Sequence, residues 1–500
     1  TEADRLIAAK STPTAKLRQF RDSLATHLFC DPACGSGNFL VVAYRELRRI
    51  ETDLIVAIRQ REGETDMSLD ATWEQKLNIG QFHGFELNWW PARIAETAMF
   101  LVDHQENRYL ADRVGQAPDR LPIKITAHIH HGNALQMNWG EALPQVQGET
   151  FIFGNPPFRG DAREKDQQQD LKNAWGARTK DISRLDFVTG WHAKALDLFD
   201  GRAGRFAYVT TNSITQGDQV PRLFGAIFDA RWRIRFAHRT FAWDSEAPGK
   251  AAVHCVIVGF DRSHEPRPKL WDYNHVKDDP VSVPVERGIN AYLVDGPNVL
   301  VEKASRPISS EVRKTAYGSK PTDGGNLIVE PDQYEKVMAD PVAAKYVHPF
   351  VGARELLHGA DRWCLWLDGM NPDDLNRSKI LRDRVQAVKE FREQSKAAST
   401  KEFARYPHLF RQRAKMEAPY LSIPIHVSET RAYYPVARFE PDVISSNANF
   451  QLPDPSGYQF ALMSSSMFIT WQKTVGGRIK SDLRFGSTLT WYTFPVPTLD

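Results

Sequence analysis

Apolar and polar positions along this chain switch between two periods. Leu17 to Ala25 has helical spacing, and His27 to Cys30 is a short apolar run of the kind a strand buried on both faces requires. Helical spacing returns from Phe39 to Ile50. Gln81 to Glu86 reads as a second strand ending in an acid, with Pro91 to Asp103 as its helix. Ile125 to His130 predicts a third strand, ending at Gly132-Asn133, and Thr150 to Phe153 a fourth, ending at Asn155-Pro156-Pro157-Phe158. An amphipathic helix over Asp186 to Leu198, a strand over Arg205 to Thr210 and a helix over Pro221 to Phe228 follow. Ile234 to Ala237 and Val253 to Phe260 are apolar and β-rich. Strands alternating with helices predict an α/β domain over residues 1–262, built on a mostly parallel sheet covered on both faces. The distance from Asp31 to Glu86 exceeds a minimal strand–helix–strand unit, so Glu51 to Leu77 is expected to be an inserted helical segment.

After Arg262 the pattern breaks. Pro266, Pro268, Pro280 and Pro284 divide the chain into short pieces, which predicts a linker and lid over 263–330. A second domain is expected over 331–440, and an aromatic-rich C-terminal element over 441–500 that packs back on the rest.

Composition narrows this only a little. The chain has 500 residues, 42% hydrophobic and 25% charged, which suits an ordinary globular protein of several domains. It carries no apolar run long enough for a bilayer and no signal-peptide pattern. Four cysteines, Cys30, Cys34, Cys255 and Cys364, are too scattered for a disulfide framework or a zinc site, so a reducing cytoplasm and no metal are expected. The first residue is Thr, which predicts a piece of a longer chain. Net charge is +2 and decides nothing, but its distribution is uneven. Lys379 to Lys415 is rich in Lys and Arg, with Phe391, Phe403, Tyr406, His408 and Phe410 interleaved. That pattern suits a surface facing phosphates better than a bland solvated helix.

The chemistry lies at the predicted strand ends. Asp31-Pro32-Ala33-Cys34-Gly35-Ser36-Gly37-Asn38-Phe39-Leu40 is a strand, glycine turn and helix start. Gly35 and Gly37 let backbone approach a ligand, and the helix beginning near Asn38 points its dipole at a carboxylate. The loop lacks both the G-x-G-x-x-G spacing of a dinucleotide site and the Lys-Ser/Thr of a P-loop. Asp31 can bind an ammonium group, Glu86 a pair of ribose hydroxyls, and Asn133 an adenine amino group, with Leu87 and Leu135 on either side of the ring. Together these match S-adenosylmethionine. Asn155-Pro156-Pro157-Phe158 supplies the acceptor side. An exocyclic amine is a poor nucleophile because its lone pair is delocalised. The Asn155 side-chain oxygen and the Pro156 carbonyl can grip its two hydrogens and draw charge onto nitrogen, the two prolines stiffen the turn, and Phe158 can stack on the ring.

Asp31 to Leu40 and Asn155 to Phe158 resemble the cofactor and catalytic motifs of N6-adenine DNA methyltransferases, in the order of the gamma class. Phe85-Glu86-Leu87-Asn88, Gly132-Asn133-Ala134-Leu135, Thr211 to Gly217 and Ala237 to Phe241 resemble the methyltransferase part of single-polypeptide type IIL and IIG restriction–modification enzymes. So do Ile423-Pro424, Ser428 to Arg431, Ser445 to Asn447 and Arg478 to Arg484 in the C-terminal part. The resemblance implies a class I, Rossmann-like methyltransferase fold with a C-terminal α+β target-recognition domain. It also implies S-adenosylmethionine as methyl donor, an adenine flipped from double-stranded DNA, and the modification half of a restriction–modification or phage-defence system. Catalytic residues would be Asn155, Pro156, Pro157 and Phe158. Cofactor residues would be Asp31, Pro32, Ala33, Gly35, Gly37, Asn38, Phe39, Glu86, Leu87, Asn133, Ala134, Leu135 and Asn155.

Phe241 is a candidate for the second face of the flipped base. Arg411, Arg413, Arg431, Arg478, Lys480 and Arg484 are candidates for DNA contact. A nuclease domain or subunit is expected outside this chain, and a monomer can serve an asymmetric site. Two features depart from the family pattern. Phe158 stands where many relatives have Tyr, and Asn133 where many methyltransferases have Asp. Cys34, inside the cofactor loop, reads as a packed residue and not as a nucleophile, and the neighbours His130 and His131 point to opposite faces. Asn-Pro-Pro turns also serve enzymes that methylate a glutamine amide or an RNA guanine. A non-catalytic DNA-recognition module is the remaining alternative, which the intact Asn155 argues against.

Overall fold

The computed structural model describes residues 1–63, 74–115, 127–159, 163–243, 253–263, 265–479 and 481–496. The chain divides into two compact units, one of Thr1–Thr215 with Gln219–Leu300, the other of Val301–Asp500 with Gln216–Asp218.

The first unit opens with α1 (Glu2–Ala8) and α2 (Thr14–Leu24), then builds strand–helix pairs. These are β1 (Leu28–Asp31) and α3 (Asn38–Glu62), β2 (Phe82–Glu86) and α4 (Trp89–Val114), β3 (His128–His131) and α5 (Trp139–Ala142), β4 (Thr150–Gly154) with α6 (Lys165–Trp175) and α7 (Thr189–Leu198), and β5 (Gly204–Thr211) with α8 (Gln219–Asp229). The antiparallel pair β6 (Arg233–Trp243) and β7 (Val253–Asp261) and the short strands β8 (Lys269–Asp272) and β9 (Val281–Val283) complete a nine-stranded sheet in the order β3-β2-β1-β4-β5-β7-β6-β8-β9. The first five strands in that order are parallel. Strand order reverses between β1 and β4, the point where open α/β sheets leave a crevice at their carboxyl ends.

Alternation places Phe29 and Phe82 on one face, against Leu40, Tyr44, Ala92, Ala95 and Met99 of α3 and α4. Leu28, Cys30, Phe85 and Ile152 face the other way, against Trp139, Leu171, Trp191 and Leu196. Residues 263–330, read from the sequence as linker and lid, contain the last two strands of this sheet. Their prolines flank β8 and β9 and do not interrupt them, so no ladder hydrogen bond is lost to a proline.

The expected insertion after Glu51 needs correction. Residues 51–62 continue α3, which runs unbroken for 25 residues to a left-handed cap at Gly63 (φ 73°). Glu51 is buried, and its carboxylate accepts from the Lys76 and Leu77 N–H groups at 2.5 and 2.9 Å. It lies 3.4 Å from the buried Arg48, which also bonds Tyr44, Asp103 and Asn107. Residues 64–73 lie outside the described residues.

The second unit holds three small sheets with helices between them. One pairs β10 (Ala316–Tyr317), β14 (Tyr420–Pro424), β16 (Ala437–Phe439) and β18 (Asn449–Pro453), and a second pairs β11 (Ile328–Val329), β12 (Val347–Val351), β13 (Trp363–Leu365) and β17 (Ile444–Ser445). The third pairs β15 (His426–Val427), β19 (Gly477–Ile479) and β20 (Asp482–Arg484). The helices Pro331–Met338 and Lys379–Glu393 pack on the second sheet through Val337, Leu381, Val385 and Val388. No helix among the described residues is long and apolar enough to cross a membrane.

Candidate active site

The candidate site gathers at the carboxyl ends of β2, β1 and β4. Asp31 ends β1 with 1% exposure, and its Oδ1 accepts from the Ala33 N–H at 2.9 Å. Burial pushes its carboxyl up to about 7; the Ala33 N–H pulls against that, and the nearby Glu86 adds to it. The end of β4 presses against this carboxyl. A Cβ on Gly154 would fall 2.3 Å from Asp31 Oδ1, so only glycine lets the turn at Asn155 sit here.

The loop between β1 and α3 is fixed by backbone geometry. Gly35 and Gly37 have φ of 54° and 86°, values that disfavour side chains. Gly37 also lies against Ala95 of α4, where an added Cβ would come within 3.1 Å, while one on Gly35 would meet nothing within 4 Å. The Cys34 N–H donates to the Phe85 carbonyl at 3.0 Å, and Trp191 Nε1 donates to the Pro32 carbonyl at 2.9 Å. Glu86 receives the Gly35 N–H on Oε2 at 3.1 Å and the Asn88 N–H on Oε1 at 2.7 Å. The loop and the acid at the end of β2 therefore hold each other in place. Leu87, one residue on, is 62% exposed, whereas Leu135 is buried against the cleft left by Gly190. Of the flanking pair, only Leu87 offers an open apolar face.

Asn155 keeps an acceptor free at the end of β4. Its Oδ1 is buried and has no hydrogen-bond partner among the described residues. A buried acceptor left unpaired costs roughly 1–3 kcal/mol, so such an atom in a rigid turn points to a donor arriving with a ligand. Pro156 is buried, Pro157 exposed, and Phe158 half-buried on the edge of the core. The donors and acceptors fit S-adenosylmethionine: open space over Gly35, a carboxylate at each of two strand ends, and the orphan oxygen beside them.

Cys34 is buried, and burial followed by the charges of Asp31 and Glu86 pushes its thiol far up. It packs where Gly84 leaves room and has no thiolate for nucleophilic work. Phe241 lies at the same edge of the sheet, facing Cys255, which faces Thr211 on β5. The register of β6 slips between His238 and Phe241, an irregularity that re-aims side chains near functional edges. Its ring is 5.3 Å from that of Tyr273. Among the described residues no cluster of His, Cys, Asp and Glu is arranged to hold a metal ion.

The basic run of the second unit divides into inward and exposed cations. Arg392 is fully buried and donates to four backbone carbonyls, those of Thr322, Tyr406, Pro321 and Leu409. Arg384 bonds the carbonyls of Asn326 and Ile328 and the side chain of Gln333. Phe410 is buried. Arg384 and Arg392 therefore tie loops together, whereas Lys379, Arg382, Lys389, Lys396, Lys401, Arg405, Arg413 and Lys415 are exposed. Arg411 bonds Thr400 and Ser399, Arg413 pairs with Asp368, and Arg478 pairs with Glu429. Arg431 and Arg484 are exposed, and Lys480 lies outside the described residues.

Two residues at the site escaped the sequence reading. Gly154 had a signal in its position, a small residue at a strand end directly before the turn. Asp170 of α6 holds the side chain of Asn133, and its spacing with Leu171, Ala174 and Trp175 marks one helix face.

Two family models match the chain: the DNA-methyltransferase domain of MmeI over residues 7–272, and the target recognition domain of MmeI over residues 295–498. DNA methyltransferase A of Bacillus subtilis (strain 168) is 32% identical over 488 residues, covering 97% of this chain and 54% of its own. The solved Type IIL restriction-modification enzyme MmeI in complex with DNA is 37% identical, with a TM-score of 0.84 over 100% of this chain and 66% of its own. The chain thus spans about half the length of the curated relative and about two thirds of the solved one.

Proposed function

Because the chain belongs to the MmeI family, with a DNA-methyltransferase domain followed by a target recognition domain, we propose that it methylates N6 of adenine in double-stranded DNA. When bound, S-adenosylmethionine supplies a methyl group made electrophilic by its sulfonium. Asp31 holds the ammonium group of that cofactor, the Gly35–Asn38 loop its carboxylate, Glu86 its ribose hydroxyls and Asn133 its adenine. The target base, flipped from the duplex, enters beside β4. Asn155 Oδ1 and the Pro156 carbonyl accept hydrogen bonds from the two N–H groups of its amine, so that charge develops on the nitrogen that takes the methyl. With S-adenosylhomocysteine as the leaving group, the methylated nitrogen releases one proton. Phe158 stacks on one face of the base, and Phe241 is the candidate for the other.

The second unit reads the DNA sequence, with Arg431 and Arg484 turned toward the duplex. The chain then acts as the modification part of a restriction–modification system. The partnerless, buried Oδ1 of Asn155 carries this reading. The test is Asn155→Ala: methyl transfer to DNA should fall roughly 10²–10³-fold, the usual loss on removing one preorganised transition-state group. Affinity for S-adenosylhomocysteine by calorimetry should fall much less than transfer does, by at most about tenfold for a contact Asn155 also makes to the cofactor. Equal transfer by wild type and variant would refute the assignment.

A further inference from the structure

A buried carboxylate stands directly behind the end of β3. Asp170 of α6 is 6% exposed. Its Oδ2 accepts from Asn133 Nδ2 at 2.8 Å, and its Oδ1 from Gln136 Nε2 at 2.9 Å. Asn133 Oδ1 in turn accepts from the Leu135 N–H at 3.0 Å. The Asn133 amide is therefore held in one of its two orientations, nitrogen toward Asp170 and oxygen toward the loop. The reverse orientation would set oxygen against carboxylate and nitrogen against N–H. The helix that carries Asp170 is itself anchored, with Leu171, Ala174 and Trp175 buried on the same face.

The orientation matters because an amide is ambivalent. Its NH₂ end recognises a carbonyl and its oxygen end recognises an amino group. The adenine edge of a nucleoside offers an amino group, so only the oxygen end suits it. We propose that Asp170 is a positioning residue for the cofactor: by gripping the Asn133 nitrogen it presents the Asn133 oxygen to the adenine amino group, and so sets the site's choice of adenine. The carboxylate also polarises the amide and strengthens its oxygen as an acceptor. An Asn–Asp pair thus performs here what a single Asp performs where that residue ends the strand. The inference rests on the reading of this edge as an S-adenosylmethionine site.

Calorimetry on the full chain with two probes tests it. One is S-adenosylhomocysteine. The other is S-inosylhomocysteine, in which a carbonyl replaces the adenine amino group. Asp170→Asn should weaken S-adenosylhomocysteine roughly tenfold, as expected for loss of a charge-assisted hydrogen bond. The same variant should leave the inosine analogue within about threefold, because its carbonyl gains nothing from the Asn133 oxygen that Asp170 holds in place. The exchanged pair Asn133→Asp/Asp170→Asn satisfies every hydrogen bond again and should restore S-adenosylhomocysteine to within about threefold of wild type.

Equal weakening of both probes, no weakening of either, or an exchanged pair that fails to recover would overturn the proposal. If Asp170→Asn does not fold, the exchanged pair and the exposed Gln136→Ala decide. The latter should cost S-adenosylhomocysteine about two- to threefold and the inosine analogue nothing. A wild-type protein that binds neither probe would instead refute the cofactor reading, and this inference with it.

Discussion

The two candidate surfaces treat their polar groups in opposite ways. At the carboxyl edge of the first unit's sheet, polar atoms are held in position yet left with capacity to spare. Among the described residues Asn155 Oδ1 has no partner, the Asp31 carboxylate accepts from the Ala33 N–H, and Glu86 is fixed by backbone N–H groups. Along the basic run of the second unit, two arginines are saturated by the protein itself, while most of the other cations are exposed. Arg392 serves four carbonyls, and Arg384 two carbonyls and a side chain. A surface that binds must keep some hydrogen-bonding capacity, and a cation whose donors are all used inside the fold gives stability and not recognition. Function in the second unit should therefore reside in its exposed cations and not in the density of its charge.

The sharpest way to break this contrast is Arg392→Met. If the residue is a structural clamp, the variant leaves four carbonyls without their donor and should lose about 3–5 kcal/mol of stability, read by urea denaturation. S-adenosylhomocysteine binding to protein that remains folded should be unchanged. Normal stability with weakened DNA binding would place Arg392 on the recognition surface instead.

On the other side of the comparison, Asp31 predicts a pH dependence with a definite sign. Burial pushes its carboxyl up to about 7, and only the ionised form pairs with the cofactor's ammonium. Binding below that pH must first remove a proton, so affinity for S-adenosylhomocysteine should rise as pH climbs toward 7 and level off above it. The limiting slope below is about tenfold per pH unit. Asp31→Asn should flatten the profile, and a wild-type profile flat from pH 5.5 to 8 would remove the ion pair from the account. The smallest expected effect concerns the exposed cations. Arg431→Ala and Arg484→Ala should each weaken DNA binding about threefold and lower the salt slope by about one. Arg411→Ala, whose guanidinium is already bonded to Ser399 and Thr400, should leave the slope unchanged.

The first surface was the more legible from sequence, and the reason is range. A glycine that must take positive φ, an acid at a strand end and an Asn-Pro-Pro turn are local instructions. The β1–α3 loop, Glu86 and the Asn155 turn accordingly come together at the strand ends where the periodicity placed them. Long-range facts were less accessible. Charge along Lys379 to Lys415 does not say which guanidinium faces inward. Only the carbonyls of residues 321, 322, 406 and 409 make Arg392 a clamp. Asp170 lies in a polar stretch, and its role depends on Asn133, 37 residues earlier. The prolines around β8 and β9 suggested a linker because a proline at a strand's edge and a proline in a loop look alike in sequence. The length of α3 was more available than the reading allowed, since Gly63 carries the usual mark of a helix end.

The central claim is that this chain methylates adenine in DNA. The most direct measurement is transfer of labelled methyl from S-adenosylmethionine to unmethylated genomic DNA, followed by mass spectrometry of the digested nucleosides. The account predicts label in N6-methyladenine alone. Label in N4-methylcytosine would contradict the choice of base while keeping the Asn155 chemistry, and unlabelled DNA beside labelled protein glutamine would contradict the account.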